Sequence, residues 1–205
     1  INGGTSYMQL SHWYGGFGYQ NVHADQHGLA FGNGPSGNSK IVFGNDGGVY
    51  YSSDGGFLTT SRNNGFNVTQ FYTVGVGPTS IGSGDYFVAG AQDNGSQYFG
   101  GVSAGENASV EAQGGDGAAS MFDQGTDNYF ITNYVYNQRI IYRTTAGATR
   151  TINSETTSNG AFICPMALDS SRDILFADYT VPGTTPVYGI RRYTNLKSGT
   201  VTKTT

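Results

Sequence analysis

Acid–base chemistry in this sequence rests on a few aspartates and on three histidines. Asp46 and Asp93 lie in Asn45-Asp46-Gly47-Gly48 and Gln92-Asp93-Asn94-Gly95, each between two apolar runs. Such a pair is the candidate catalytic set for cleaving a glycosidic bond, which needs two carboxyl groups about 5 to 9.5 Å apart, one as acid and the other as base or nucleophile. The same residues also make a plain turn, because Asp accepts hydrogen bonds from turn amides and Asp, Asn and Gly tolerate left-handed backbone. Asp25 and Asp116 each stand six residues before a phenylalanine, Phe31 and Phe122, and offer further carboxylates for a catalytic partner or for ligand binding. Asp178 is a candidate for the same kind of turn as Asp46 and Asp93.

His23, Asp25 and His27 are spaced by two, which on an extended strand puts all three side chains on one side. Two imidazoles and a carboxylate can ligate a divalent metal or hydrogen-bond a ligand. With no further clustered His or Cys, the trio is expected to organise its backbone and touch ligand, and no metal or other cofactor is expected. The loop from Ser11 to Asn21 carries His12, Trp13, Tyr14, Phe17 and Tyr19 among glycines, too aromatic for a plain connector. Trp13, Tyr14 and Tyr19 are the candidate ligand-binding rings, since exposed Trp and Tyr faces stack on sugars and anchor peptide side chains. Packing between neighbouring sheets is the competing role. Cys164, the single cysteine, sits in Phe162-Ile163-Cys164-Pro165-Met166 and reads as a buried, inert thiol.

The elements that must position these residues are strands. Only 12% of the 205 residues are charged, whereas 33 are glycine and 14% are aromatic. Few charges and many glycines disfavour long amphipathic helices and favour short strands joined by turns. A net charge of −4 with three lysines provides no basic stripe for a phosphate backbone, so nucleic acid is not an expected partner. No apolar run reaches the roughly 18 residues that would span a bilayer as a helix.

A period is visible. Phe31, Val76, Phe122 and Leu168 end similar apolar segments and are 45, 46 and 46 residues apart. After each comes a second run (Ile41–Gly44, Tyr86–Ala89, Tyr129–Thr132, Ile174–Ala177) and then a third (Val49–Ser52, Gln97–Phe99, Ile140–Arg143, Gly189–Tyr193). Three strands recur per period, with room for a fourth. Four short antiparallel strands in 40 to 50 residues is the size of a β-propeller blade, larger than a leucine-rich or ankyrin unit. The expected fold is all-β, about four blades of a larger propeller. Approximate units are 25–68, 69–114, 115–160 and 161–205, with 1–24 the end of a preceding blade and a loop. A parallel β-helix or a β-sandwich is the alternative.

Ser52-Ser53-Asp54-Gly55-Gly56-Phe57-Leu58-Thr59 resembles the Asp-box, Ser-x-Asp-x-Gly-x-Thr-Trp, at Ser52, Asp54 and Gly56 but without the final Trp. Asn2-Gly3-Gly4-Thr5-Ser6-Tyr7 is similar to the tail of a second, degenerate box. With His23–His27 and Gly44–Tyr50, the chain resembles the secreted Asp-box (bacterial neuraminidase repeat) propellers common in Bacteroidetes-type bacteria. Their superfamily includes sialidases, xyloglucanase-type hydrolases and the sortilin ectodomain. The resemblance implies a structural Asp54, and places Asp25, Asp46, Asp93 and Asp116 around one mouth with Asp54 on the opposite face. It also likens Asp46 to a catalytic Asp of xyloglucanase-type enzymes, whose second acid has no clear match here. The Arg-Ile-Pro motif and arginine triad of sialidases are absent.

Three functions follow as expectations: a non-catalytic extracellular module binding a glycan or peptide, a glycoside hydrolase with paired aspartates, and a structural spacer. Extracellular or cell-surface localisation is expected. Because the sequence starts at Ile1, it reads as a processed product or a fragment whose open edges are covered by the rest of a propeller or by other chains.

Overall fold

Each apolar run becomes a strand, and the turn residues between runs become its limits. The computed structural model describes residues 4–34, 39–66, 68–81, 86–101 and 108–205. Asn2 and Gly3 of the amino-terminal box-like segment lie outside them. The chain divides into two compact units, Ile1–Val68 and Thr69–Thr205.

The first unit holds a short parallel pair, β1 (Ser11–His12) with β2 (Gln20–Asn21), and a four-stranded antiparallel sheet. That sheet is β3 (Gln26–Asn33), β4 (Ser39–Asn45), β5 (Gly48–Ser52) and β6 (Thr60–Ser61), adjacent in chain order. In β4, Ile41 and Phe43 point inward and Val42 outward, the period of two expected of a strand with one buried face. Val22 and Tyr50 complete this small core.

The second unit holds three more sheets of the same build. They are β7 (Thr73–Val76), β8 (Tyr86–Ala91), β9 (Gly95–Gly100) and β10 (Val110–Gln113); β11 (Gly117–Phe122), β12 (Tyr129–Tyr134), β13 (Arg139–Thr144) and β14 (Thr149–Ser154); and β15 (Met166–Asp169), β16 (Ile174–Asp178), β17 (Ile190–Thr194) and β18 (Thr202–Thr204). The anticipated fourth strand is present in every sheet. Helix among the described residues is confined to 3-10 turns at Thr79–Ile81 and Val135–Asn137.

Within this unit neighbouring sheets pack face to face, a repeated, propeller-like arrangement. Val88, Phe122 and Phe130 bury between the first and second sheets, with Tyr98 stacked on Phe130 at 4.7 Å. Tyr129, Ile131, Ile140, Tyr142 and Ile152 meet Cys164, Leu175, Ala177, Tyr193 and Leu196 between the second and third. The middle sheet is therefore covered twice, and Tyr129 to Asn133 are all buried instead of alternating. Close approach dictates glycine at the crossings: a Cβ on Gly90 would overlap the backbone of Ala118, and one on Gly75 would overlap the backbone of Met121. Thr73 ties the same two sheets together, its hydroxyl donating to Ala118 O at 3.0 Å and accepting from the Ser120 amide at 2.8 Å.

Candidate functional site

In the first unit, residues 11 to 21 form a narrow aromatic excursion closed by the β1–β2 pair. Glycines make its tight path feasible: Gly15, Gly16 and Gly18 have φ of 67°, 93° and 81°, values costly for a side chain with a Cβ. Gly15 N donates to His12 O, and Asn21 Nδ2 donates to Trp13 O at 3.0 Å, pinning both ends of the aromatic stretch. The rings stay outside. Trp13, Tyr14, Phe17 and Tyr19 are exposed by 56%, 80%, 89% and 38%. Trp13 and Tyr14 lie 5.3 Å apart at 46°, and His12 sits edge-on to both Trp13 and Phe17. His12 Nδ1 accepts the Tyr14 amide at 3.4 Å, which leaves the proton of the neutral ring on Nε2 as a donor.

Gln20 fastens this excursion to the Asp54 turn. Its Nε2 donates to Gly56 O at 2.7 Å and its Oε1 accepts the Thr59 amide at 2.6 Å. Leu10 fills the space beside Gly56 that a Cβ would need. The turn is itself rigid: the Ser52 hydroxyl donates to Asp54 Oδ1 at 2.8 Å and accepts the Gly56 amide at 2.9 Å, while Asp54 Oδ1 accepts the Leu58 amide at 3.0 Å. These bonds, the Leu58 amide foremost, hold the Asp54 carboxyl below the usual carboxylate range. Ser52, Asp54 and Gly56 thus act on their own turn. Between excursion and turn runs an open cleft of about 300 Å³, lined by Met8, Gln9, Leu10, Tyr19, Gln20 and Phe57 among others.

At the other end of the same sheet, the β4–β5 turn carries Asp46. The period-two expectation for His23, Asp25 and His27 fails here. Strand β3 begins only at Gln26, Asp25 takes a left-handed φ of 54°, and the register slips between Gln26 and Gly28. The three side chains nonetheless all reach the β4–β5 turn, without sharing one face of a strand. The His23 ring packs where a Cβ of Gly47 would sit, and His27 Nε2 meets Asp46 Oδ1. Carboxylate oxygens of Asp25 and Asp46 lie within 4.8 Å of one another.

In the second unit Asp116 works as a brace. Its Oδ1 accepts the Asp93 amide at 3.1 Å, its Oδ2 accepts the Tyr134 hydroxyl at 3.1 Å, and its carbonyl accepts the Val135 amide at 3.4 Å. Asp93 occupies the β8–β9 turn with φ of 59°. Asp178 likewise serves its own loop, accepting from the Ala161 amide at 2.9 Å and the Thr180 hydroxyl at 2.7 Å. Burial pushes its pKa up, but these bonds prevail and hold the carboxyl below its ordinary value.

Some polar clusters of the second unit gave no signal in the sequence. Lys197 bridges Asp127 and Asp173, each at 2.7 Å, and Tyr129 donates to Asp173 at 3.0 Å. Glu155 receives Arg191 at 2.6 Å while the Arg191 guanidinium lies 3.2 Å from the centre of the Tyr179 ring. These partners stand tens of residues apart, and only the stacking of sheets brings them together. Cys164 is fully buried, accepts Asn137 Nδ2 at 2.7 Å, and has its thiol pushed up to about 12, chiefly by burial.

No protein-family model matches this sequence, and no curated protein matches it.

Proposed function

We propose that this chain is an extracellular, non-catalytic carbohydrate-binding module built on an Asp-box β-propeller scaffold. The observation that carries the reading is the set Trp13, Tyr14, Phe17 and Tyr19, held outward on a glycine-rich excursion that Gln20 and Asn21 brace. Exposing this much aromatic surface is unfavourable in water unless a ligand covers it. Rigid rings lose little entropy on binding, and aromatic faces stack on the C–H faces of sugars, with the His12 Nε2–H and the tyrosine hydroxyls available for sugar oxygens. Asp54 takes the structural role that the Asp-box resemblance gives it.

Glycan-array binding by the whole chain tests the reading: retention of at least one glycan class by the parent and its loss in Trp13→Ala supports it. Binding of no glycan by correctly folded protein leaves the structural-spacer reading. Retention of unstructured peptides in place of glycans would move the site to peptide recognition.

A second reading, glycoside hydrolysis, is favoured by one observation, the approach of Asp25 and Asp46 to within 4.8 Å. A retaining hydrolase places its carboxyl groups about 5 to 5.5 Å apart. Release of reducing ends from a β-glucan by the parent, abolished by Asp46→Asn, is the outcome that would establish it.

A further inference from the structure

The strongest surface feature is the aromatic excursion of the first unit, and its geometry and charge narrow the kind of carbohydrate it fits. The following rests on the carbohydrate-binding reading above. Residues 4–24 contain no Asp, Glu, Lys or Arg. The turn that braces them carries Asp54, whose negative charge is already committed to Ser52 and Leu58. A uronate or sulfate would need Arg or Lys to offset its desolvation, and this surface supplies neither from its own segment.

Ring arrangement restricts the ligand further. A flat crystalline face needs coplanar rings, whereas Trp13 and Tyr14 are tilted by 46° and His12 stands at 84° to Trp13 and 63° to Phe17. A chain end or a single sugar needs an enclosing pocket, whereas these rings stand proud and the adjoining cleft, lined by Gln9, Tyr19 and Phe57, is open. Successive rings tilted relative to one another fit successive sugar units of a twisting polymer.

We infer that the excursion binds the interior of a single, soluble, uncharged polysaccharide chain, with Trp13 and Tyr14 stacking on adjacent sugar units. Trp13 is the only tryptophan in the chain, so its fluorescence reports on this site alone. The experiment titrates the full chain with soluble β-glucan, β-mannan and xylan, with polygalacturonate as the anionic arm and with peptone as the peptide arm. Sedimentation with crystalline cellulose runs in parallel. The expected result is a saturable change in Trp13 emission with at least one neutral polymer, with its hexaose at least about tenfold tighter than its disaccharide because more rings are engaged. No response to polygalacturonate and no pelleting with cellulose are expected. Tyr14→Ala, which keeps the reporter, should weaken binding several-fold with an unchanged circular dichroism spectrum. A response to polygalacturonate alone, co-sedimentation with crystalline cellulose, or equal affinity for di- and hexasaccharide would overturn this inference while leaving carbohydrate binding in place. Response to peptone alone, or to nothing, would overturn both.

Discussion

Gln20 joins the aromatic excursion to the Asp54 turn of the same unit, its side-chain amide donating to Gly56 O at 2.7 Å while its carbonyl oxygen accepts from Thr59 N at 2.6 Å. One residue thereby satisfies a backbone acceptor and a backbone donor 36 and 39 positions away. The consequence is that the aromatic excursion is anchored to the Asp54 turn through a single side chain.

Gln20→Ala should therefore cost about 1–3 kcal/mol, the range for leaving part-buried polar groups without their partner. Limited proteolysis is the measurement: the variant should be cut first between residues 11 and 21, while the three sheets of the second unit persist. Cleavage patterns identical to the parent would show that the excursion is held by other contacts.

Trp13→Ala should behave in the opposite way. Its ring is 56% exposed and contributes to no buried core, so stability should change by no more than about 0.5 kcal/mol. Glycan binding should fall sharply. A melting temperature lowered as much as in Gln20→Ala would make Trp13 a packing residue instead.

The architecture was legible because strands announce themselves locally: apolar runs of three to five residues recur at a spacing of about 46, and turn residues bound each run. Individual side-chain directions were less so. His23, Asp25 and His27 read as one face of a strand only if the strand includes Asp25. The left-handed backbone at that residue, which Asp tolerates better than most, ends the alternation one position before β3. Asp116 looked like a free carboxylate since nothing near it in sequence marks Tyr134 or the Asp93 amide as partners. Lys197 with Asp127 and Asp173, and Gln20 with Gly56, were invisible for the same reason, being contacts between elements that only tertiary packing creates. The exposure of Trp13 and Tyr14, by contrast, could be anticipated from a run of aromatics too rich in glycine to be a core strand.

Acid should loosen the protein through its turn carboxylates. Asp54 is held low by the Leu58 amide and the Ser52 hydroxyl, and Asp169 by the Ser171 hydroxyl and Arg172. In Asp178 the bonds to Thr180 and Ala161 outweigh the upward push of burial. A carboxyl whose folded pKa is below its unfolded value of about 3.9 stabilises the fold above that pH and stops doing so as pH falls through the folded value. Urea midpoints should therefore be level from pH 6 to about 5 and decline below about pH 4. Asp178→Asn should flatten that decline. An unchanged slope would mean that other groups set the acid limit.

Cys164 should be silent in the folded protein. With its thiol pushed up to about 12 and no exposed surface, almost no thiolate exists at pH 8 and none is reachable. Ellman's reagent should give no signal over an hour in buffer and one equivalent in 6 M guanidinium. Rapid reaction of native protein would require the second and third sheets of the second unit to part readily, since Cys164 lies in the core between them.

Packing between those sheets and the one before them can be probed at a single hydrogen atom. Gly90 lies on β8 where Ala118 of β11 crosses, and an added Cβ would overlap the Ala118 carbonyl oxygen, with Ala118 N 2.8 Å away. Both neighbours are backbone atoms of a buried strand, and the carbonyl oxygen also accepts the Thr73 hydroxyl, so neither can swing aside as a flexible side chain would. Gly183, in the connection after β16, has only Thr185 O near its Cβ position, at 4.0 Å, and its φ is not in the left-handed region. Gly90→Ala should then cost about 1–3 kcal/mol through overpacking, whereas Gly183→Ala should be neutral or slightly stabilising through a less flexible unfolded chain. Chemical denaturation of the two variants beside the parent decides it. Equal midpoints for all three would mean that β8 and β11 do not approach as closely as their glycines indicate, and that the face-to-face stacking of these two sheets is looser than described.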